Sequence, residues 1–193
     1  MKNKPHIHPD NLNGTFRTYT GVKFDLVTPL SSMINIHDIA ISLAHNSHFN
    51  GHSRRFFSVA QHCVMVMEEY ANDQPDSLPE MKLLALLHDA SEAYTGDIIK
   101  PLKVLIPGFD PIQDRIMKAI CVKFQIPFNY LCDIKPYDLK VQNIEYDAFY
   151  NEGPIEYWSC KEAYHRFMNA FNNINDFRCL KAPTTPSITF TGK

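Results

Sequence analysis

The chain has 193 residues, 45% of them hydrophobic, and a formal net charge of −2. That length and apolar content suit one compact domain with a core of its own. The near-neutral charge excludes a broad basic face for duplex nucleic acid or an anionic membrane surface. No apolar run approaches the roughly 18–20 residues that cross a bilayer, and Met1-Lys2-Asn3-Lys4-Pro5 opens a polar N-terminus without an apolar leader core, so the expected setting is cytoplasmic.

Residues 1–14 read as a tail or surface arm in which His6-Ile7-His8 is solvated. Gly21 to Val27 alternates like a strand and pairs plausibly with Thr15 to Thr20 in a small hairpin. From there the signals are helical. Asn35 precedes Ile36 to Ala44, and Ser58-Val59-Ala60-Gln61, Ser77-Leu78-Pro79-Glu80, Asp110-Pro111-Ile112-Gln113 and Ser159-Cys160-Lys161-Glu162 all have the form of capping boxes. Gly96 to Gly108 is expected as a loop on the rim of a pocket. Pro136 can open a helix that stops at Gly153-Pro154, and residues 180–193 read as a second arm. The prediction is one all-α domain over 1–193, a bundle of about six helices or more, with its core at about 16–175.

Five cysteines, Cys63, Cys121, Cys132, Cys160 and Cys179, are odd in number and never spaced C-x-x-C, which argues against a disulfide framework and a thiolate zinc site. Histidine and carboxylate carry the signal instead. The apolar run Leu83 to Leu87 ends at His88-Asp89, and Glu92 follows four residues after His88 and three after Asp89, near one helical face. Buried imidazole and carboxylate without partners cost roughly 2–7 kcal/mol for a neutral group and more for a charge, and a divalent cation would compensate them. His62, early in the helix opened by Ser58 and on the side of Val59 and Val66, faces protein. A lone histidine there is more often a hydrogen-bonded core residue than a ligand. Joined to His88-Asp89 it makes two imidazoles and a carboxylate, a set that holds one borderline divalent ion and leaves positions open.

With these residues in view, the chain resembles the HD-domain metal-dependent phosphohydrolases, whose signature is His, then His-Asp, then a distal Asp. Phe49-Asn50-Gly51-His52, Phe56 through His62, Leu86 through Tyr94, Gly96-Asp97-Ile98 and Lys100-Pro101-Leu102-Lys103 look like the bacterial and phage nucleotide hydrolases of that family. That branch includes deoxynucleoside 5′-monophosphatases and dATP triphosphohydrolases. Tyr19-Thr20-Gly21 and Asp38-Ile39-Ala40 extend the resemblance over roughly 16–152.

The resemblance implies an HD-domain helical fold and three metal ligands, His62, His88 and Asp89. It implies Glu92 as acid/base, Asp89 beside it in the catalytic set, and a homodimer as the default assembly. The distal ligand has two candidates. Family members have Asp in Ala-Asp-x-x-x-Leu-x-x-Glu; Asp138 with Glu145 reproduces the two acids, with Tyr137 and Gln142 in place of Ala and Leu, and is preferred. Sliding one heptad offers Glu145 with Glu152. For Asp138 the plain alternative is an acid favoured near a helix start by the dipole. Relatives commonly carry Arg-Phe before Asn-Gly where this chain has His48-Phe49.

Phe49, Asn50, Arg55, Asp97 and Lys103 are the candidate substrate contacts; Arg54 and Lys100 read as solvated surface cations, and Asp97 is equally an ordinary turn residue after Gly96. The cofactor is one divalent ion among Zn, Mn, Co, Fe and Mg. Such an ion lowers the pKa of water from about 15.7 toward ~7 and offsets phosphoryl charge. The first expected activity is phosphate release from deoxynucleoside 5′-monophosphates, the second is triphosphate release from a dNTP, and the third possibility is a catalytically impaired nucleotide-binding protein.

Overall fold

The computed structural model describes residues 14–181, with side chains to 178. Among them are eight α-helices and one two-stranded hairpin, an all-α bundle. The tail containing His6 and His8 and most of the second arm lie outside the described residues, as does the side chain of Cys179. Strands β1 (Thr15–Arg17) and β2 (Lys23–Asp25) pair antiparallel with Phe16 opposite Phe24. Their connection is tied down by Asp38, whose carboxylate accepts from the Thr20 backbone N–H at 2.7 Å and from its hydroxyl at 2.8 Å. Thus Tyr19-Thr20-Gly21 and Asp38-Ile39-Ala40, distant in sequence, form one tie between hairpin and bundle.

Helix α1 (Ile36–His45) is capped by Asn35, whose side chain accepts from His37 N–H at 2.9 Å, and α2 (Val59–Asp73) by Ser58, which accepts from Gln61 N–H at 3.1 Å. Helix α2 is central and packs against α1, α3 (Pro79–Leu86), α7 (Leu131–Tyr150) and α8 (Cys160–Lys181). Leu83 to Leu87 are wholly buried among them. Phe167 of α8 fills the same core and is fully buried. Phe167→Ala is therefore expected to lower stability by about 3–5 kcal/mol, measured as a reduced urea midpoint at unchanged slope.

Several boundaries differ from the sequence expectation for identifiable reasons. Ser77 does not cap α3: Leu78 stands at the cap in extended conformation, because a residue before proline is pushed out of the helical region. Asp110 lies in the first turn of α6 (Phe109–Phe124), where Gly108 at φ 82 takes the cap and the missing N–H of Pro111 falls among donors that have no helical partner. Pro136 sits inside α7, removing one backbone donor without ending the helix. The segment expected as a loop contains a short helix, α5 (Lys100–Leu105), and α8 carries the chain past 180 to Lys181. Helix α3 ends at Leu86. His88 to Ser91 follow as turns, before the single-turn helix α4 (Glu92–Thr95), so His88, Asp89 and Glu92 do not share one continuous helix.

Candidate metal centre

His62 comes from the first turn of α2, His88 and Asp89 from the turns after α3, and Asp138 from α7. The burial of Leu83–Leu87 draws the end of α3 against α2, which brings His88 to His62. His62 Nε2 lies 3.3 Å from His88 Nε2, 3.2 Å from Asp138 Oδ1 and 3.6 Å from Asp89 Oδ2. His88 Nε2 lies 3.1 Å from Asp89 Oδ2 and 3.9 Å from Asp138 Oδ1. His62 is fully buried and Asp138 nearly so, whereas the Asp89 side chain keeps 29% of its exposure, which opens the cluster on one side.

The protons of this cluster decide what it can hold. His88 Nδ1 lies 2.9 Å from the Ala85 carbonyl, which only accepts, so Nδ1 carries the hydrogen. His62 Nδ1 lies 2.8 Å from Glu145 Oε1, a buried carboxylate whose neighbours His62 and His48 keep it ionised below its ordinary value although burial opposes this. In the neutral rings both Nε2 atoms therefore present lone pairs to each other and to two carboxylate oxygens. Four electron-rich atoms with no hydrogen between them repel unless a positive charge sits in their midst. A divalent ion with ligand bonds of about 2.0–2.2 Å places neighbouring ligand atoms roughly 2.8–3.6 Å apart; the separations here run from 3.1 to 3.9 Å, the widest, His88 to Asp138, a little beyond that range. Hydrogen bonding of the second imidazole nitrogen to a carbonyl or carboxylate is the usual support of a metal-ligating histidine. The residues present fit such an ion.

Beside the cluster opens a cavity of about 680 Å³. Glu92 and Asp89 form part of its wall, with Phe49, Asp97, Lys103 and His48. Lys103 Nζ donates to Glu92 Oε1 at 2.9 Å, while Glu92 Oε2 and Asp97 Oδ2 are buried without a hydrogen-bond partner among the described residues.

The uncharacterized protein YfdR of Escherichia coli K12 is 31% identical to this chain over 184 aligned positions, spanning 84% of this chain and 96% of YfdR. The chain belongs to the YfdR family. An uncharacterized protein of Rhodobacter capsulatus is 37% identical over 114 positions, 58% of each chain. No family model matches the sequence.

In this YfdR-family chain the electrostatics of the cluster favour added positive charge. Burial opposes a charged His62, yet the charge of Glu145 and the hydrogen bonds to Asp138 and Glu145 raise its pKa well above the ordinary value. Asp138 is lowered to about 2: burial works against this, but the His62 hydrogen bond and the His88 charge outweigh it. Asp89 is lowered too, against burial, chiefly by His88. Glu92 goes the other way, raised to about 9 by burial and then by the charges of Asp89 and Asp97, despite Lys103.

Of the expected substrate contacts, Phe49, Asp97 and Lys103 line the cavity and Asn50 and Arg55 do not. Phe49 and Asn50 both adopt left-handed backbone, φ 54 and 52, which turns Phe49 inward and leaves Asn50 exposed. Arg55 lies over the Tyr157 ring at 4.5 Å. Arg54 pairs with Glu152 at the surface, as its reading as a solvated cation expects, whereas Lys100 borders the cavity. Two residues not singled out from sequence hold Asp138 in place: Lys135 donates to Oδ2, and Gln142 Nε2 donates to Oδ1 at 2.6 Å. Their spacing of three before and four after Asp138 was the available signal.

Proposed function

We propose that this chain is a metal-dependent phosphohydrolase of the HD-domain type acting on nucleotides, with deoxynucleoside 5′-monophosphates as first substrates. The observation that supports it best is the close group of ligand atoms from His62, His88 and Asp138, with Asp89 beside the two imidazoles, bordered by a cavity with lysines on its rim. His62, His88, Asp89 and Asp138 would hold the ion. When bound, the ion supplies positive charge that makes water a competent nucleophile near neutral pH and offsets charge on the phosphoryl oxygens.

The chain's own groups do the rest. Glu92 sits next to the ligand set with one carboxylate oxygen free of partners among the described residues, and it accepts the proton that attacking water releases. Lys103, on the same wall, attracts the phosphoryl group. Attack forms a new P–O bond, and the bond from phosphorus to the 5′-oxygen breaks with a proton delivered to that oxygen. Phe49 presents an aromatic face to the cavity and suits the nucleoside.

A second reading, release of triphosphate from a dNTP, draws on the presence of Lys100, Lys103 and Lys135 together around the cavity. Incubation with Mn²⁺ or Co²⁺ and panels of dNMPs and dNTPs tests both. Inorganic phosphate from dNMPs is the expected product; intact triphosphate from dNTPs would favour the second reading. An ion held tightly with no turnover of any phosphorylated nucleotide would make the protein a binder and remove the hydrolase proposal.

A further inference from the structure

Glu92 stands on the shortest α-helix of the described residues. Helix α4 is a single turn of four residues with no side-chain cap at its start. Isolated helices below about 12–15 residues are marginal in water, so α4 has no stability of its own. None of its carbonyls has a partner inside the helix. Its place comes from neighbours instead. The Gly96 N–H donates to the Glu92 carbonyl at 2.8 Å. The Tyr94 ring stacks on Phe24 of β2 with centroids 4.0 Å apart, and Gln113 of α6 donates to the Thr95 hydroxyl at 3.1 Å. The Ala93 carbonyl receives no backbone N–H among the described residues; it accepts from the Ser42 hydroxyl of α1 at 2.7 Å. Ser42, Ala93 and Tyr94 border a second cavity of about 440 Å³, whereas Glu92 borders the cavity beside the ion ligands, so consecutive residues of α4 line two different cavities.

We infer that Ser42 is a positioning residue whose hydroxyl holds α4 in the orientation from which Glu92 takes the proton of attacking water. This rests on the reading of Glu92 as the proton-transfer group of a nucleotide phosphohydrolase. Serine is a poorer helix former than alanine, and inside a helix its hydroxyl commonly turns back to the carbonyl four residues earlier. The Ser42 hydroxyl is directed to another helix. A hydrogen bond to the carbonyl of the residue next to Glu92 limits rotation of the one-turn helix, and the carboxyl at the end of its side chain moves farther than the backbone that carries it. Misplacement of a catalytic group by about 1 Å can cost ~10²-fold in rate. Ser42 borders no part of the cavity beside the ion ligands, so its route to the chemistry is through α4.

Single and double variants of the full chain separate this role from a merely structural one, read by steady-state kinetics with a dNMP and Mn²⁺, by Mn²⁺ calorimetry and by amide hydrogen exchange. Ser42→Ala is expected to lower kcat about tenfold and to leave KM and Mn²⁺ affinity within about threefold of the parent. In the Glu92→Gln background the same change is expected to cost less than about twofold, because a residue that acts through Glu92 then has no proton transfer left to assist. Ser42→Thr keeps the hydroxyl, with the adjoining cavity beside its extra methyl, and is expected to restore kcat; Ser42→Val, of the same shape without the hydroxyl, is expected to behave as Ser42→Ala. Without substrate, the Gly96 amide is expected to exchange roughly 2–10-fold faster in the Ala and Val variants and at the parent rate in Ser42→Thr, the scale of one intramolecular hydrogen bond.

Parent-like kcat in Ser42→Ala, an equal fold-loss in both backgrounds, or a loss of Mn²⁺ affinity as large as that of kcat would each overturn the positioning role. So would equal rates in the Thr and Val variants, a comparison that decides the matter even if Ser42→Ala does not fold. A parent that turns over no nucleotide fails the phosphohydrolase reading and the part of Ser42 in it. Exchange at Gly96 that follows the hydroxyl would then leave the hold of Ser42 on α4 standing, and exchange indifferent to the hydroxyl would remove that as well.

Discussion

Glu92→Gln will lower kcat by about 10²–10⁴-fold, the usual contribution of a positioned proton-transfer group, while the protein keeps its ion. The substitution preserves the shape of the side chain and a group able to receive the Lys103 ammonium now 2.9 Å away. What it removes is the capacity to take up and release a proton. Two features make that capacity relevant here. Glu92 Oε2 is buried without a partner among the described residues, and burial with the charges of Asp89 and Asp97 raises the carboxyl to about 9 in the ion-free protein. A cation in the ligand set opposes the Asp89 charge and brings Glu92 back toward neutral pH, where a proton-transfer group is most effective.

The check is steady-state turnover measured beside metal content: full activity in Glu92→Gln would remove Glu92 from the mechanism, and loss of the ion would place it among the ligands. Stability offers a second readout with a definite sign. The folded protein disfavours ionised Glu92, so as pH rises from about 4.5, its value in an unfolded chain, toward about 9 the ion-free parent loses stability that the Gln variant keeps. In chelator at pH 8–9 the variant is expected to melt above the parent, and the difference is expected to vanish near pH 4.

The helical character of the chain was legible because its signals are local. Asn35 and Ser58 cap where their spacing predicts, and the unbroken run Leu83–Leu87 is as deeply buried as an all-round apolar segment must be. His62 pointing inward followed from helical periodicity alone. What sequence periodicity could not give is the way the second half of the cluster is built. Glu92 was placed by counting along one helix, yet the backbone after Leu86 descends through successive turns, with Ala90 N–H bonding to Leu87 O and Glu92 N–H to Asp89 O. It is these turns that bring both His88 and Asp89 beside His62.

Long-range pairings were harder still. His62 and Glu145 are 83 residues apart, and nothing local in either helix shows that one serves the other. The Lys135 and Gln142 contacts to Asp138 were hidden for a different reason: taking Pro136 as a helix start cut Lys135 off from the helix that carries Asp138, whereas the structure runs α7 straight through the proline. Arg55 was assigned to substrate by charge and proximity in sequence, but its flat guanidinium has a partner of its own in the half-buried Tyr157 ring.

Asp138→Asn is expected to deprive the protein of its ion, and with it all turnover, more severely than any change at Glu145. Both acids lie on the buried face of α7, and sequence spacing alone left either as the distal ligand. Their surroundings differ. Asp138 Oδ1 lies 3.2 Å from His62 Nε2, the nitrogen whose lone pair faces the cluster, whereas Glu145 Oε1 lies on the opposite edge of the same ring at Nδ1. Replacing Asp138 by Asn removes a negative charge from the point where the lone pairs converge. It also introduces an amide that can turn its N–H toward His62 Nε2 and satisfy that lone pair with a hydrogen, closing the position to a cation. Lys135 and Gln142, which now steady the carboxylate, favour that turn, because both donate and a neutral amide has one acceptor oxygen to offer them. The loss of Mn²⁺ affinity should therefore exceed the roughly 10–100-fold that follows removal of an outer supporting contact. Metal content after dialysis, compared between Asp138→Asn and Glu145→Gln, is the measurement. If Glu145→Gln empties the site while Asp138→Asn retains the ion, then Glu145 is the distal ligand and the cluster of His62, His88 and Asp138 is not where the ion binds.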